Sequence, residues 1–464
     1  MDKQFGRDFS KGSIPKHLLS FSIPMLLGNL IQISYNLINI IWVGHLVGEN
    51  AVGAVGISFP ILFILIGFAM GITLATTILV SQYYGARDYA MVKKVVSNSF
   101  SLPLIVGVIL TFACILLRNF LLELIKTPPE NFAMASSYLR IMLLSFILTY
   151  TGFLISSILR GIGDTMTPLI FMAIGVGLNA ILDPLLIGGF GPFPRLGLNG
   201  AAYATLISQA VALSLAFTYL NWKNHLVAFH PREVIFDRHL TFLVFKIGVP
   251  SIIQQSLVSI GAMFVTTFVN SFGSAATNAF GAVGRVDMVV IMPAVSMSMA
   301  VAALTGQNLG AGKPDRVKEV FKSGVVMTSF ITIFISLMVV FLSRFILTLF
   351  GLGEDTKVME IGITYLRIVG SSYLFFAVMF ISNGVINGAG HTMTTMVFTL
   401  VSLWLVRVPV SWWLSKTSLG ITGVWIAIAL SFLTTMTVSL AYYFSGRWKK
   451  SPIIKEPAAV PAIG

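Results

Sequence analysis

Twelve apolar runs dominate this chain, and each is long enough to cross a lipid bilayer. A hydrocarbon core takes roughly 20 consecutive apolar residues per helix. Such runs fall at 17–46, 51–81, 95–117, 131–157, 165–189, 199–222, 241–270, 276–305, 322–347, 358–384, 392–415 and 421–445. In lipid the backbone must satisfy its own polar groups, and runs of this length do so as helices. The expected fold is an all-α integral membrane protein of twelve transmembrane helices. Composition agrees: 56% of the residues are hydrophobic and 10% are charged, against about 25% charged in an ordinary globular domain. The charged leader, residues 1–16, precedes a run too long for a signal-peptide core and lacking a small-residue cleavage site, so the first run is expected to be retained.

The net charge of +13 is a matter of topology. Nucleic acid is not an expected partner, because no basic stripe is interleaved with aromatics. Instead Lys3, Arg7, Lys11 and Lys16 in the leader, Lys93 and Lys94, Arg232 and Arg238, Lys313 and Arg316, and Lys449 and Lys450 near the end all fall on one side of the membrane. An excess of this kind marks the cytoplasmic face, so both termini are expected inside the cell, with the protein in the plasma (inner) membrane. The tail EPAAVPAIG is expected to be disordered. One cysteine, Cys114, supports no disulfide framework. The histidines, His230 among them, are scattered without ligand spacing. GQNLGAGK at 306–313 resembles a phosphate loop, but its lysine is followed by Pro314. A membrane-embedded enzyme is thus left without its machinery.

The chain also contains itself twice. QYYGARDYAMVKKV from Gln82 pairs with QNLGAGKPDRVKEV from Gln307, SYLRI at 137 with TYLRI at 364, RGIGDTMT at 160 with NGAGHTMT at 387, and Pro24 with Pro250. The expected organisation is a leader (1–16), an N-terminal lobe of six spans (17–222), a cytoplasmic linker (223–240), a C-terminal lobe of six spans (241–445) and a tail (446–464). An even number of spans per half relates the two pseudo-symmetric bundles by an axis along the membrane normal. Such an arrangement leaves a cavity between bundles and is one way to build alternating access.

Polar residues inside the apolar runs must be satisfied or functional. In the first span Gln32, Asn36 and Asn39 recur at one-face spacing; Asn179 and Asp183 do so in the fifth, and Thr205 and Gln209 in the sixth. An aspartate at mid-bilayer costs about 2.5 to 3.5 kcal/mol on insertion scales, which argues for partners around Asp183. Pro184 has no N–H to give to the Ala180 carbonyl, leaving a spare acceptor one turn back. Carboxylate, amide oxygens, hydroxyl and carbonyl together make an oxygen-rich nest of the type hard cations use. The alternative is interhelical hydrogen bonding that glues the bundle, at about 0.6 kcal/mol per contact. In the second half LNAILDP meets LWLVRVP, so Asp183 stands opposite Val408. Arg285 and Asp287 are two residues apart and face different ways; one of them is expected to pair with Arg407 or to line the cavity.

YNLINIIWVG at 35, QYYGA at 82, RGIGDT at 160, LNAILDP at 178, GAAYAT at 200 and GAVGRVD at 281 resemble the multidrug and toxic compound extrusion (MATE) family across nearly the whole chain. The resemblance implies two bundles in a V around a central cavity. It also implies export of amphipathic, often cationic compounds in exchange for inward H⁺ or Na⁺, with no other cofactor. Some branches keep their cation site in the N-terminal lobe; carried over by motif, that site falls on Asp183, Asn39, Asn179 and Thr205, with Na⁺ at Asp183 as a candidate metal. Pro24 and Pro184 are the expected helix bends. Gln32, Tyr35, Asn36, Gln209, Gln254, Gln255, Arg285 and Asp287 are candidates for lining or gating the substrate cavity. Two departures bear on mechanism. The family usually has an aspartate where this chain has Asn39, and the acids of the other branch are missing from the seventh span, with only Glu360 in the tenth. A single carboxylate balances one monovalent cation. The rival transporter, a flippase for lipid-linked saccharides, needs a pyrophosphate pocket for which only Arg285 and Arg407 are at hand. The expected partners are small amphipathic substrates and membrane lipid, with the chain acting as a monomer.

Overall fold

The computed structural model describes residues 6–223, 225–228, 236–349, 356–450 and 453. Lys3 of the leader, His230 and Arg232 of the linker and the tail EPAAVPAIG lie outside the described residues. The apolar runs form helices, and no strand occurs among the described residues. The first half comprises α1 (Ile14–Leu46), α2 (Glu49–Gly85), α3 (Tyr89–Ser99), α4 (Leu102–Leu124), α5 (Pro129–Gly161), α6 (Met166–Gly188) and α7 (Leu198–Trp222). The second comprises α8 (Arg238–Asn270), α9 (Ser274–Gly310), α10 (Pro314–Phe341), α11 (Ser343–Leu349), α12 (Thr356–Ser371), α13 (Tyr373–Gly388) and α14 (Thr392–Thr399). A π-helical segment (Leu400–Arg407) then leads into α15 (Val408–Ser415) and α16 (Ile421–Phe444). Eleven helical stretches among the described residues are long and apolar enough to span a bilayer, and a bent pair makes up to twelve.

The bent pair takes the place of the single span expected at 358–384. Lys357–Ser371 and Tyr373–Gly388 meet at 44°. The local chemistry explains the break: Ser371 Oγ donates to the Ile368 carbonyl at 2.8 Å and Ser372 Oγ to the Val369 carbonyl at 2.6 Å. Serine hydroxyls bonded back onto the chain compete with the helix ladder and bend it. Other ends follow from capping. Asp164 starts α6 by accepting from the N–H groups of Met166 at 3.1 Å and Thr167 at 3.0 Å. Gly189, left-handed at φ 74°, ends it.

Contacts divide the chain into two compact units, one of Met1–Asp8 with Pro24–Ile252, the other of Phe9–Ile23 with Ile253–Gly464. The divisions fall at Pro24 inside α1 and just after Pro250 inside α8. Each unit therefore includes the opening turns of the other half's entry helix. In the first unit α5 packs on α2 and α7, and α6 on α7. The opening of α8 lies so close to α2 that a Cβ at Gly71 would sit 2.7 Å from the Gly248 carbonyl oxygen, the small-residue contact that lets membrane helices approach.

In the second unit α9 packs on α10 and α13, and α13 on α16. Its core centres on the fully buried Trp425, which stacks on Phe280 with ring centroids 5.7 Å apart and meets Tyr365 edge-on at 4.8 Å. The repeated motif at 307 has a structural job here. Gln307 Oε1 accepts from the Phe9 N–H at 2.9 Å, and Lys313 Nζ donates to the Ser10 carbonyl at 2.9 Å. Arg316 donates to the Gly12 carbonyl at 3.0 Å. The phosphate-loop look-alike thus holds the leader's backbone.

Candidate functional site

Three helices of the first unit converge on one acid. Gly200 makes the convergence of α6 and α7 possible: a Cβ there would lie 2.4 Å from the Leu186 carbonyl oxygen, closer than any side chain could be accommodated. This contact carries Thr205 of α7 to Asn179 of α6. Asn39 of α1 closes the third side.

Asp183 is 0% exposed. Its Oδ2 accepts from Asn39 Nδ2 at 3.2 Å. With the Asn179 amide oriented to suit both neighbours, Nδ2 donates to the same Asp183 oxygen at 3.0 Å and Oδ1 accepts from the Thr205 N–H at 3.1 Å. Thr205 Oγ1 donates to the Ala201 carbonyl at 3.0 Å, and Tyr35 Oη lies 2.9 Å from the same hydroxyl. A hydroxyl has one proton, so Tyr35 is the donor and Thr205 the acceptor in that pair. The phenol oxygen keeps its lone pairs.

Both amides serve Oδ2, while Oδ1 of Asp183 is buried with no hydrogen-bond partner among the described residues. An unsatisfied buried polar atom costs about 1–3 kcal/mol, and more when charged. A proton added at Oδ1 or a monovalent cation beside it relieves that cost. The donor set suits either: one carboxylate oxygen is uncommitted, the Tyr35 oxygen can accept, and Pro184 deprives the Ala180 carbonyl of its helix partner.

The structure brings together four residues expected at the site, Asp183, Asn39, Asn179 and Thr205, and adds Tyr35, which the sequence had placed only among cavity candidates. Tyr138 of α5 is a further neighbour, buried and within electrostatic range of Tyr35 and Asp183. It was missed although it belongs to the repeated SYLRI/TYLRI motif. Its counterpart Tyr365 bonds a half-buried aspartate of the second unit, Asp287. Gln32 and Asn36 remain exposed on α1, two turns and one turn before Asn39 respectively, and Gln209 is half-buried one turn beyond Thr205. Pro24 and Pro184 sit inside continuous helices.

In the second unit Gln254 is tied to Thr399 Oγ1 at 2.8 Å and to the Thr395 carbonyl at 3.4 Å, joining α8 to α14; Gln255 is half-buried. Arg285 is exposed on α9. Asp287 makes no ion pair with Arg407, the partner considered from sequence. Its two carboxylate oxygens accept from the phenols of Tyr365 and Tyr373 instead. The bend between α12 and α13 places one tyrosine on each side of it.

The two polar centres thus sit in corresponding halves of a duplicated helical chain, and the relationship extends to known proteins. The family model MatE matches residues 24–185 and again 250–413. The chain belongs to the MatE family. The two matched stretches begin at Pro24 and Pro250; contacts divide the units at Pro24 and just after Pro250, between Ile252 and Ile253. As a MatE protein it is a membrane transporter. It is similar to YpnP of Bacillus subtilis, named "Probable multidrug resistance protein", with 33% identity over 97% of this chain and 99% of that one. Among solved structures it resembles a MOP superfamily transporter from Pyrococcus furiosus (TM-score 0.87, 25% identity, 96% of this chain and 98% of that one). It also resembles a multidrug resistance MATE family transporter in an outward-facing conformation (TM-score 0.87, 25% identity, 95% and 97% covered).

Proposed function

We propose that this MatE protein exports amphipathic, cationic organic compounds from the cell in exchange for an inward H⁺ or Na⁺, with Asp183 as the coupling residue. The observation that carries the reading is the buried Asp183 carboxylate, with Oδ2 held by two amides and Oδ1 uncommitted. Multidrug relatives supply the substrate class, and the excess of Lys and Arg on one side supports cytoplasmic termini in the plasma membrane.

In this mechanism Asp183 takes one positive charge from outside, at Oδ1. Its neighbours Tyr35, Asn39, Asn179 and Thr205 reorganise around the neutralised carboxyl, and α1 moves relative to α6. An inward charge gains about 2.3 kcal/mol per 100 mV of membrane potential. When one monovalent cation enters for each monovalent cationic substrate that leaves, the electrical contribution cancels and concentration gradients alone drive export.

Proteoliposomes with independently imposed H⁺ and Na⁺ gradients test this. Export of a fluorescent cationic dye should follow one of the two gradients and stop when that gradient is collapsed. Dye movement indifferent to both gradients, or none at all, would rule the reading out. Asn39→Asp adds a second acid beside Asp183 and should shift the ion dependence of export while leaving export measurable; a variant with no export at all under either gradient would count against the assigned role of Asn39.

A further inference from the structure

A second charge centre, in the C-terminal unit, plays no part in that mechanism. Arg407 closes the π-helical segment Leu400–Arg407, and π turns within helices recur at functional sites. Its guanidinium is fixed on two sides: Nε donates to Ser431 Oγ at 2.7 Å, and Cζ lies 5.0 Å over the Phe432 ring. Asp287 is close enough to act on it electrostatically, which offsets the cost of an arginine in the bilayer. Yet each Asp287 oxygen accepts from a tyrosine, Tyr365 or Tyr373, and neither forms an ion pair with Arg407. The terminal nitrogens of Arg407 have no hydrogen-bond partner among the described residues, and the side chain is only partly buried.

A structural ion pair would join guanidinium and carboxylate directly. Here the tyrosines take the carboxylate, and Arg407 is left with an oriented, uncommitted edge. Two parallel N–H groups on such an edge match a carboxylate in bidentate fashion. We propose that Arg407 is a specificity residue that receives the carboxylate of amphipathic substrates carrying an acid group as well as a cationic one. The inference rests on the efflux reading above and assigns the residue that recognises the acid group of such substrates.

A rhodamine methyl ester and the corresponding free acid share the ring system and differ in one carboxylate, so they serve as probes. In proteoliposomes Arg407→Gln should lower kcat/KM for the free acid about 10- to 100-fold and change it for the ester by less than about threefold. Arg407→Lys, which keeps the charge and loses the fork, should fall between. Ser431→Ala, which frees Nε, should weaken export of the acid selectively, and the acid should raise the melting temperature of the wild-type protein in detergent more than the ester does. These two readouts decide the matter should Arg407→Gln fail to fold. Equal losses for both probes, or loss for neither, would overturn the proposal. An effect that requires phosphatidylserine in the vesicles and ignores the acid group of the probe assigns the edge to a lipid headgroup, and also overturns it. Failure of the wild type to move the ester would instead sink the efflux reading.

Discussion

Asp183→Asn is expected to reduce ion-driven export to the level of empty vesicles while the protein inserts and melts like the wild type. The replacement keeps the shape and one oxygen, so Asn39 and Asn179 retain an acceptor where Asp183 Oδ2 now serves both. It removes the negative charge and places an amide nitrogen where Oδ1 has no partner. An amide neither takes up a proton in the physiological range nor neutralises Na⁺, so ion binding is uncoupled from the helices. Stability should not suffer, because a carboxylate at mid-bilayer carries an insertion cost of about 2.5 to 3.5 kcal/mol that asparagine avoids. Purified variant reconstituted beside wild type, with melting temperature and gradient-driven dye export measured together, is the check. Export at the wild-type rate would remove Asp183 from the mechanism.

Gly200→Ala should be strongly damaging although the residue touches neither ion nor substrate. The new Cβ would stand 2.4 Å from the Leu186 oxygen, 2.5 Å from its carbon and 2.7 Å from the Ile187 nitrogen. All three are backbone atoms and cannot swing aside, so α6 and α7 must separate. Overpacking of this kind costs about 1–3 kcal/mol. The separation also draws the Thr205 N–H away from Asn179, a contact of 3.1 Å, and misplacements of about 1 Å can cost on the order of 100-fold in rate. A fall in melting temperature with at least a tenfold loss of export is the expected outcome. Gly177→Ala is the control: it lies on the same α6, and a Cβ there meets nothing within 4 Å, so stability and export should stay near wild type. If the two variants behave alike, close packing at Gly200 is not what positions Thr205.

Much of this could be read from the residues. Run length and low charge specify a helical membrane protein, because lipid offers no partner to an unpaired backbone. The duplicated motifs announce two halves. Asp183 stood out because a carboxylate in an apolar run is costly, and one-face spacing supplied Asn179. Other features were hidden for definite reasons. The division of α1 at Pro24 and of α8 after Pro250 depends on what each turn packs against, which periodicity does not encode. The break at Ser371 and Ser372 depends on hydroxyls turning back onto the chain, and serine in an apolar run carries no fixed direction. Asn39 shares a face with Gln32 and Asn36, yet Asn39 alone is covered.

The sequence by itself determined the solvent, the helical class, the duplication and the presence of an intramembrane acid, Asp183, in the N-terminal half, since these follow from transfer free energies and from motifs repeated along the chain. Tertiary structure decided the pairings: Tyr35 as donor to Thr205, two amides on one oxygen of Asp183, and Asp287 held by two tyrosines rather than by Arg407. Hydrogen bonds act over about 3 Å, and groups from different helices come within that range only after glycine contacts such as Gly200 on Leu186 set how closely those helices lie.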